Sequence, residues 1–258
     1  IDVAAELPLQ AIAELMGVPQ EDRRKLFDWS NKMIGIDDPE YASDDNLAAA
    51  TELYSYANRL AAERRDEPRD DVITRLINAE VEGDDGQRTK LNEFEIDAFM
   101  LLLSVAGNET TRNATSHGLW QLMTNPDQFE RLKADRDGLM DTAVDEIVRY
   151  SSPVLHFRRT ATADTEIGGR SVAAGDKVVM WHVSANRDED QFERPDQFDI
   201  SRSPNHHVGF GGGGPHFCLG ANLARMELRL IFDEVCRRLP DIEPTADPAR
   251  LRSNFING

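Results

Sequence analysis

Two cysteines among 258 residues are too few for a secreted fold stapled by disulfides, which uses more of them in regular pairs. Cys218 and Cys236 are therefore expected as free thiols in a reducing, cytoplasmic setting. Long apolar runs are also missing. The most apolar stretch, Ala98 to Ala106, is well short of the roughly 20 residues that span a bilayer, so no membrane span is expected. The N-terminus shows no basic segment followed by an apolar one, and it opens on Ile1 rather than Met, so the natural start is expected upstream. Cations are the third scarcity: 29 Lys and Arg stand against 47 Asp and Glu, a formal net charge of -18. Neutralising phosphates needs clustered Lys and Arg, which excludes nucleic acid as a partner.

What is present is helical periodicity. With 40% apolar residues the chain can bury a substantial core. Leu9, Ile12, Ala13 and Met16 form a short amphipathic stretch closed by Gly17 and Pro19, and Leu47 to Leu60 forms a longer one. Glu82 to Gln87 reads as an exposed turn. Asn92 with Glu95 has the form of a capping box, and the pattern then runs to Asn125-Pro126, a helix of roughly 48 Å at 1.5 Å per residue. Helices are expected over Pro126 to Ala134, Leu139 to Tyr150 and Leu219 to Leu239. Strands fit Phe157 to Val183, with turns at Gly168-Gly169 and Ala174-Gly175, and Asn186 to Asn205 reads as an irregular meander. The fold class is mainly α with a small β region.

The most informative segment runs from His206 through Gly209-Phe210-Gly211-Gly212-Gly213-Gly214-Pro215-His216-Phe217-Cys218-Leu219-Gly220. A buried cysteine beside an ordinary glycine loop is the plain alternative. Gly209, Gly211 and Gly214 satisfy G-x-G-x-x-G, but the parallel strand and ribose-binding acid of a nucleotide site do not follow. Zinc held by His206, His207, His216 and Cys218 fits poorly, because the paired two-residue gaps of structural zinc sites are missing. A haem thiolate accounts for each residue type. A helix N-terminus favours the deprotonated sulfur, with Leu219 and Gly220 supplying amides. The glycines let backbone approach a flat macrocycle, Phe210 shields the sulfur, and His216 donates to a propionate.

Two further motifs stand upstream. Ala106-Gly107-Asn108-Glu109-Thr110-Thr111 lies inside the long helix; a solvent-facing Glu109 is the plain reading. However, Gly107 and two threonines make locally poor helix, and a threonine hydroxyl bonding back to a carbonyl can widen the turn. Glu146-Ile147-Val148-Arg149 alone would be an ordinary i, i+3 pair.

Taken in order, these segments resemble the cytochrome P-450 monooxygenases. Gly214, His216, Cys218 and Gly220 match F-x-x-G-x-[HR]-x-C-x-G, with Phe210 one residue farther from the cysteine than usual. Ala106 to Thr111 matches A-G-x-[DE]-T-T, and Glu146 to Arg149 matches E-x-x-R. The resemblance implies haem b with Cys218 as axial ligand, Glu109 as proton source, and Thr110 as hydrogen-bond partner to bound oxygen. It implies further haem contacts from Ala106, Gly107, Phe210 and Gly220, and propionate contacts from His216 and Arg159, the latter chosen over Arg158 by its spacing from Arg149. Glu146 and Arg149 would support the loop; where the family's P-x-R-F has arginine this chain has Gln197, and Arg202 is expected to substitute.

The implied activity is insertion of one oxygen atom of dioxygen into a C-H bond of a hydrophobic substrate. Local likeness at Asn113, Ser184 to Asp188 and Pro248 to Leu251 points to terminal hydroxylation of a branched lipid or sterol side chain. Leu102, Leu103, Val154 and Leu155 would make an apolar pocket. The implied electron donor is a ferredoxin with its NAD(P)H-dependent reductase, docking near Arg225 and Arg229. The family fold is larger, so residues 1-258 are expected to be one incomplete domain, a partial fold with long central helix, haem loop and proximal helix but without its N-terminal part and C-terminal hairpin. A non-catalytic haem-binding or sensor protein is the alternative.

Overall fold

The computed structural model describes residues 4–34, 46–83, 86–251, 253 and 255–258. Its contacts divide into two compact units, one over Ile1–Arg112 with Leu251–Ser253, the other over Asn113–Arg250 with Asn254–Gly258.

The first unit is helical. Helix α1 (Glu6–Met16) ends where Gly17 turns left-handed at φ 72° and donates its N-H to Glu14 O, a conformation that favours glycine. Helices α2 (Arg23–Ile34), α3 (Asn46–Asp66) and α4 (Val72–Asn78) follow. The core joins Leu9, Ile12 and Met16 to Leu26, Phe27, Leu53, Leu60 and Ile73. Arg64 and Asp71 form a buried ion pair; Arg64 also donates to Gly17 O, and Asp71 caps α4 by accepting from the Thr74 amide at 2.7 Å. A polar hairpin pairs β1 (Glu80–Glu82) with β2 (Arg88–Lys90). The sequence pattern shows only its turn, because the strands are exposed on both faces and carry no apolar alternation.

Helix α5 spans Glu93–Thr124 without a break. Its capping box forms as expected: Asn92 N-H donates to Glu95 Oε2 at 2.8 Å and Glu95 N-H to Asn92 Oδ1 at 3.0 Å. In the first unit it buries Ile96 and Met100. In the second, Gly118 lets Phe232 and Ile147 approach, since a Cβ there would lie 2.5 Å from Phe232 Cζ.

The second unit packs that end of α5 with α6 (Pro126–Ala134), α7 (Arg136–Ser151) and α9 (Ala221–Arg238) around Leu122, Phe129, Leu132, Ile147, Leu228 and Phe232. Antiparallel pairs join β3 (His156–Thr160) to β6 (Lys177–Trp181), and β4 (Thr165–Ile167) to β5 (Arg170–Val172). Three boundaries depart from the expected ones. Helix α7 begins three residues before Leu139, because Asp135 caps it by accepting from the Gly138 amide at 3.0 Å. The strand expected to reach Val183 ends at Trp181, and His182–Ala185 forms a short helix, α8; the His182 amide turns to Leu155 O at 2.8 Å. Helix α9 starts at Ala221 rather than Leu219, with Gly220 as its cap.

Candidate active site

The meander expected over 186–205 is tied down by Glu146 and Arg149, both fully buried. Arg149 holds the Glu146 carboxylate with Nε at 2.7 Å and Nη2 at 2.8 Å, the bidentate geometry that suits guanidinium to carboxylate. It also donates to Asn186 O at 2.7 Å and Pro195 O at 2.8 Å. Glu146 in turn accepts from Arg202 Nε at 3.1 Å, the Asp199 amide at 2.9 Å and Asn205 Nδ2 at 3.1 Å. Arg202 thus takes the third arm that residue 197 lacks. Every lone pair of the buried carboxylate faces a donor, which is what makes burying its charge tolerable.

Directly after this frame comes the cysteine loop. Asn186 Oδ1 accepts from the Val208 amide at 2.8 Å, and Asn186 Nδ2 reaches Ser152 Oγ at 2.9 Å. Gly209 passes so close to α7 that a Cβ would lie 2.6 Å from Val148 Cγ1. Gly211, Gly213 and Gly214 have φ of 93°, 102° and 75°. Cys218 N-H donates to Phe210 O at 2.9 Å and closes the loop, and Cys218 O accepts from the Ala221 amide at 3.3 Å, the entry to α9. Cys218 is an exposed free thiol, whereas Cys236 is buried, and burial pushes the Cys236 thiol up to about 11. Phe210 lies under the Arg225 guanidinium, 4.5 Å from its ring centre.

On β3 the alternation of side chains places Phe157 and Arg159 on one face and Arg158 on the other. The Arg159 guanidinium sits 5.9 Å from the Phe157 ring centre, and that ring meets His182 edge-on at 5.6 Å. Burial first, then the neighbouring His156 and Arg159 charges, hold His182 below the ordinary imidazole range.

Glu109 and Thr110 belong to the first unit and point to different sides of α5. Glu109 is fully buried, ion-paired with Arg112; Arg112 also donates to Asn31 Oδ1 at 2.8 Å. Burial raises the Glu109 carboxyl, and Arg112 only partly offsets this. Thr110 donates its hydroxyl to Ala106 O at 2.8 Å, the expected back-bond, and the turn remains α-helical. The lone pairs of Thr110 Oγ1 stay available to accept. Leu102 and Ala106 are exposed on that face. Gly107 makes a close approach to α1: a Cβ would stand 2.8 Å from Ile12 Cδ1.

The second unit fits a flat apolar group that carries carboxylates. Cys218 offers a soft sulfur ligand at a helix N-terminus. A Cβ at Gly212, Gly213, Gly214 or Gly220 would meet nothing within 4 Å, and the flanking Phe217 and Leu219 are exposed. Among the described residues Arg159 has no carboxylate partner, and the buried Nδ1 atoms of His156 and His182 have no hydrogen-bond partner. No three His, Cys, Asp or Glu side chains among the described residues group as a metal site, so the four residues weighed for zinc do not converge. No described helix is long and apolar enough to cross a membrane.

Three features escaped the sequence. Arg112 was hidden because i, i+3 pairs are common; Asn186 stood in a segment read for substrate; Asp145 and Asp141, which engage Arg225 and Arg229, carry no motif. The basic face of α9 is therefore partly neutralised within the chain.

Comparison with known proteins agrees with this geometry. The chain is 54% identical to a steroid C26-monooxygenase of Rhodococcus jostii over 256 residues, 99% of this chain and 52% of that protein. It is 49% identical to a methyl-branched lipid omega-hydroxylase of Mycobacterium tuberculosis over 259 residues, 100% of this chain and 59% of the relative. The chain thus spans little more than half the length of these relatives. A Mycobacterium marinum cytochrome P-450 solved with pseudoionone superposes with a TM-score of 0.91 at 47% identity, covering 98% of this chain and 61% of the other. The cytochrome P-450 family model matches residues 9–240, from α1 to the end of α9 and through both the buried Glu146 frame and the Cys218 loop: the chain belongs to the cytochrome P-450 family.

Proposed function

We propose that the protein containing this chain is a haem-thiolate monooxygenase that inserts one atom of dioxygen into a C-H bond of a hydrophobic substrate, with haem b as its cofactor. The observation that carries the reading is Cys218, an exposed thiol at the mouth of α9 on a loop closed through Phe210 O. Bound haem supplies the iron at which dioxygen is activated, with electron density pushed from the thiolate. Cys218 would ligate the iron from the turn into α9, with Phe210 and Gly220 flanking it, and His216 and Arg159 would hold the propionates. Ala106 and Gly107 belong to the face and turn of α5 on the oxygen side. Glu109, its carboxyl raised by burial, would be the proton source, and Thr110, whose Oγ1 keeps lone pairs to accept with, would be the hydrogen-bond partner on the oxygen side.

The substrate class is terminal methyl groups of branched lipids or sterol side chains. The names of the two relatives support this, as does the exposed apolar position of Leu102 on α5. Electrons come from a ferredoxin and its NAD(P)H-dependent reductase, docking near Arg225 and Arg229, in the cytoplasm. The test is the carbon monoxide complex of the reduced, haem-loaded protein. A strongly red-shifted Soret band that Cys218→Ser abolishes is expected. Intact haem-loaded protein without that band, or a serine variant that keeps it, overturns the reading.

A further inference from the structure

His207 is almost wholly enclosed, with 4% of its side chain exposed, and both ring nitrogens are engaged. Gly209 N-H points at Nδ1 at 3.1 Å. A backbone amide can only donate, so Nδ1 is the unprotonated acceptor and the ring proton resides on Nε2. Nε2 faces Asp145 Oδ1 at 3.4 Å, a long hydrogen bond. The same carboxylate oxygen accepts from Arg225 Nε at 2.8 Å. Arg225 then lies over Phe210, whose ring is also 5.7 Å from that of His207. Burial works to raise the Asp145 carboxyl, but the hydrogen bonds from His207 and Arg225 outweigh it and hold it below the usual range. Asp145 therefore stays an anion, the form that both donors need.

The two residues held this way bracket the turn that carries Cys218. Gly209 is fixed by His207 Nδ1, Gly211 N-H returns to Val208 O at 2.9 Å, and Phe210 O takes the Cys218 amide at 2.9 Å. The residues from Gly211 to Gly214 have no side chain to reach back with, so the loop is tied to the α7 side through His207 and through Phe210, whose ring packs on the core that α7 shares. We propose that His207 is a positioning residue for Cys218: through Gly209 it sets where the Phe210 carbonyl points, and so where the cysteine sits. Asp145 and Arg225 keep the imidazole in the tautomer that accepts. The proposal rests on Cys218 being the thiolate ligand.

Asparagine and glutamine separate the two ring nitrogens. His207→Asn keeps an acceptor near Nδ1, whereas His207→Gln keeps only a group near Nε2. Hydrogen exchange of the full-length, haem-loaded protein is followed on peptides covering 208–220, with peptides from 226–238 in α9 reporting whether the fold is intact. His207→Asn should preserve protection of the loop. His207→Gln should speed its exchange about tenfold, the factor that corresponds to roughly 1.4 kcal/mol, with part of the red-shifted carbon monoxide band lost and α9 unchanged. Loop exchange in His207→Gln equal to the wild type, or equally fast in both variants, overturns the proposal. Cys218→Ser keeps the two failures apart: it should lose the band yet keep the slow loop, whereas a serine variant that retains the band defeats the ligand assignment whatever the loop does.

Discussion

Arg202 Nε lies 3.1 Å from Glu146 Oε2, and so an arginine five residues beyond Gln197 completes the network that Arg149 begins. Its guanidinium also donates to Glu193 O at 2.8 Å and Gln197 O at 3.0 Å, which binds the meander to itself. Replacing Arg202 with Met removes one of three donors to Glu146 Oε2 while Arg149 and Asn205 remain, and should lower unfolding free energy by about 2 kcal/mol, the scale of a hydrogen bond to a charged group. Gln197 contributes only backbone groups, its carbonyl and its amide, and its side chain is exposed, so Gln197→Ala should change stability by less than about 0.5 kcal/mol. Urea midpoints of the two variants check the contrast; equal losses would show that Arg202 is not the third arm.

What the sequence discloses here depends on how local the determinants are. The capping box at Asn92 and Glu95 is legible because both partners lie within one turn. The glycine-rich loop is legible because its residue types serve one chemistry, and Arg202 could be expected once the family's arrangement was in mind. His182–Ala185 was not legible, since Val178 to Val183 has the composition of a strand and only the pull of Leu155 O on the His182 amide bends it into a helix. The pairing of Arg225 with Asp145 and Arg229 with Asp141 joins residues 80 and 88 positions apart, and no short-range pattern records such a distance. A charge count along α9 therefore shows four arginines and hides their partners.

The glycine loop separates two kinds of glycine. Gly209→Ala would force a methyl into Val148, and Gly211→Ala would place a side chain at φ 93°. Costs of about 1–3 kcal/mol for the first and about 1–2 kcal/mol for the second follow from overpacking and left-handed strain. Gly212 has neither constraint, and Gly212→Ala should fall within about 0.5 kcal/mol of the wild type. Thermal unfolding of the three variants orders them; destabilisation by Gly212→Ala equal to the others would contradict the assignment.

Glu109 gives a pH signature. Its folded-state pKa is raised by burial, so the folded chain holds a proton that the unfolded chain releases. Stability is highest below the ordinary carboxylate range and falls as pH rises through it to the raised value. Glu109→Gln removes that slope. The stability of the wild type relative to this variant should decline over the same window, and parallel urea midpoints from acid to neutral pH would refute the raised carboxyl.

Thr110 already donates its hydroxyl to Ala106 O, so what it offers the open face of α5 is an acceptor. On the proposed function, Thr110→Ala should retain haem and the red-shifted carbon monoxide band while electrons are diverted to peroxide. The measurement is peroxide formed per NAD(P)H consumed, set against product. Product formation as tightly coupled as in the wild type would remove Thr110 from proton handling. Thr110→Ser, which keeps the oxygen, should recover most of the coupling.

Arg225 and Arg229 are matched to Asp145 and Asp141, and on the proposed function this changes what docking of an acidic ferredoxin would require. Each guanidinium brings its own counter-charge, so the face presents a weaker positive field than the four arginines of α9 suggest. Association should slow with salt, as electrostatic steering demands, but gently. Removing Asp141, whose side chain is 79% exposed, unmasks Arg229 without disturbing a buried group. Asp141→Asn should therefore speed reduction at low ionic strength and steepen its salt dependence, whereas Arg229→Gln should slow it. Asp145 differs, because it also holds His207 and the loop, and Asp145→Asn should disturb the haem site as well as docking. Stopped-flow reduction across a salt series distinguishes these cases. An unchanged rate in both Asp141→Asn and Arg229→Gln would place the electron donor on another face.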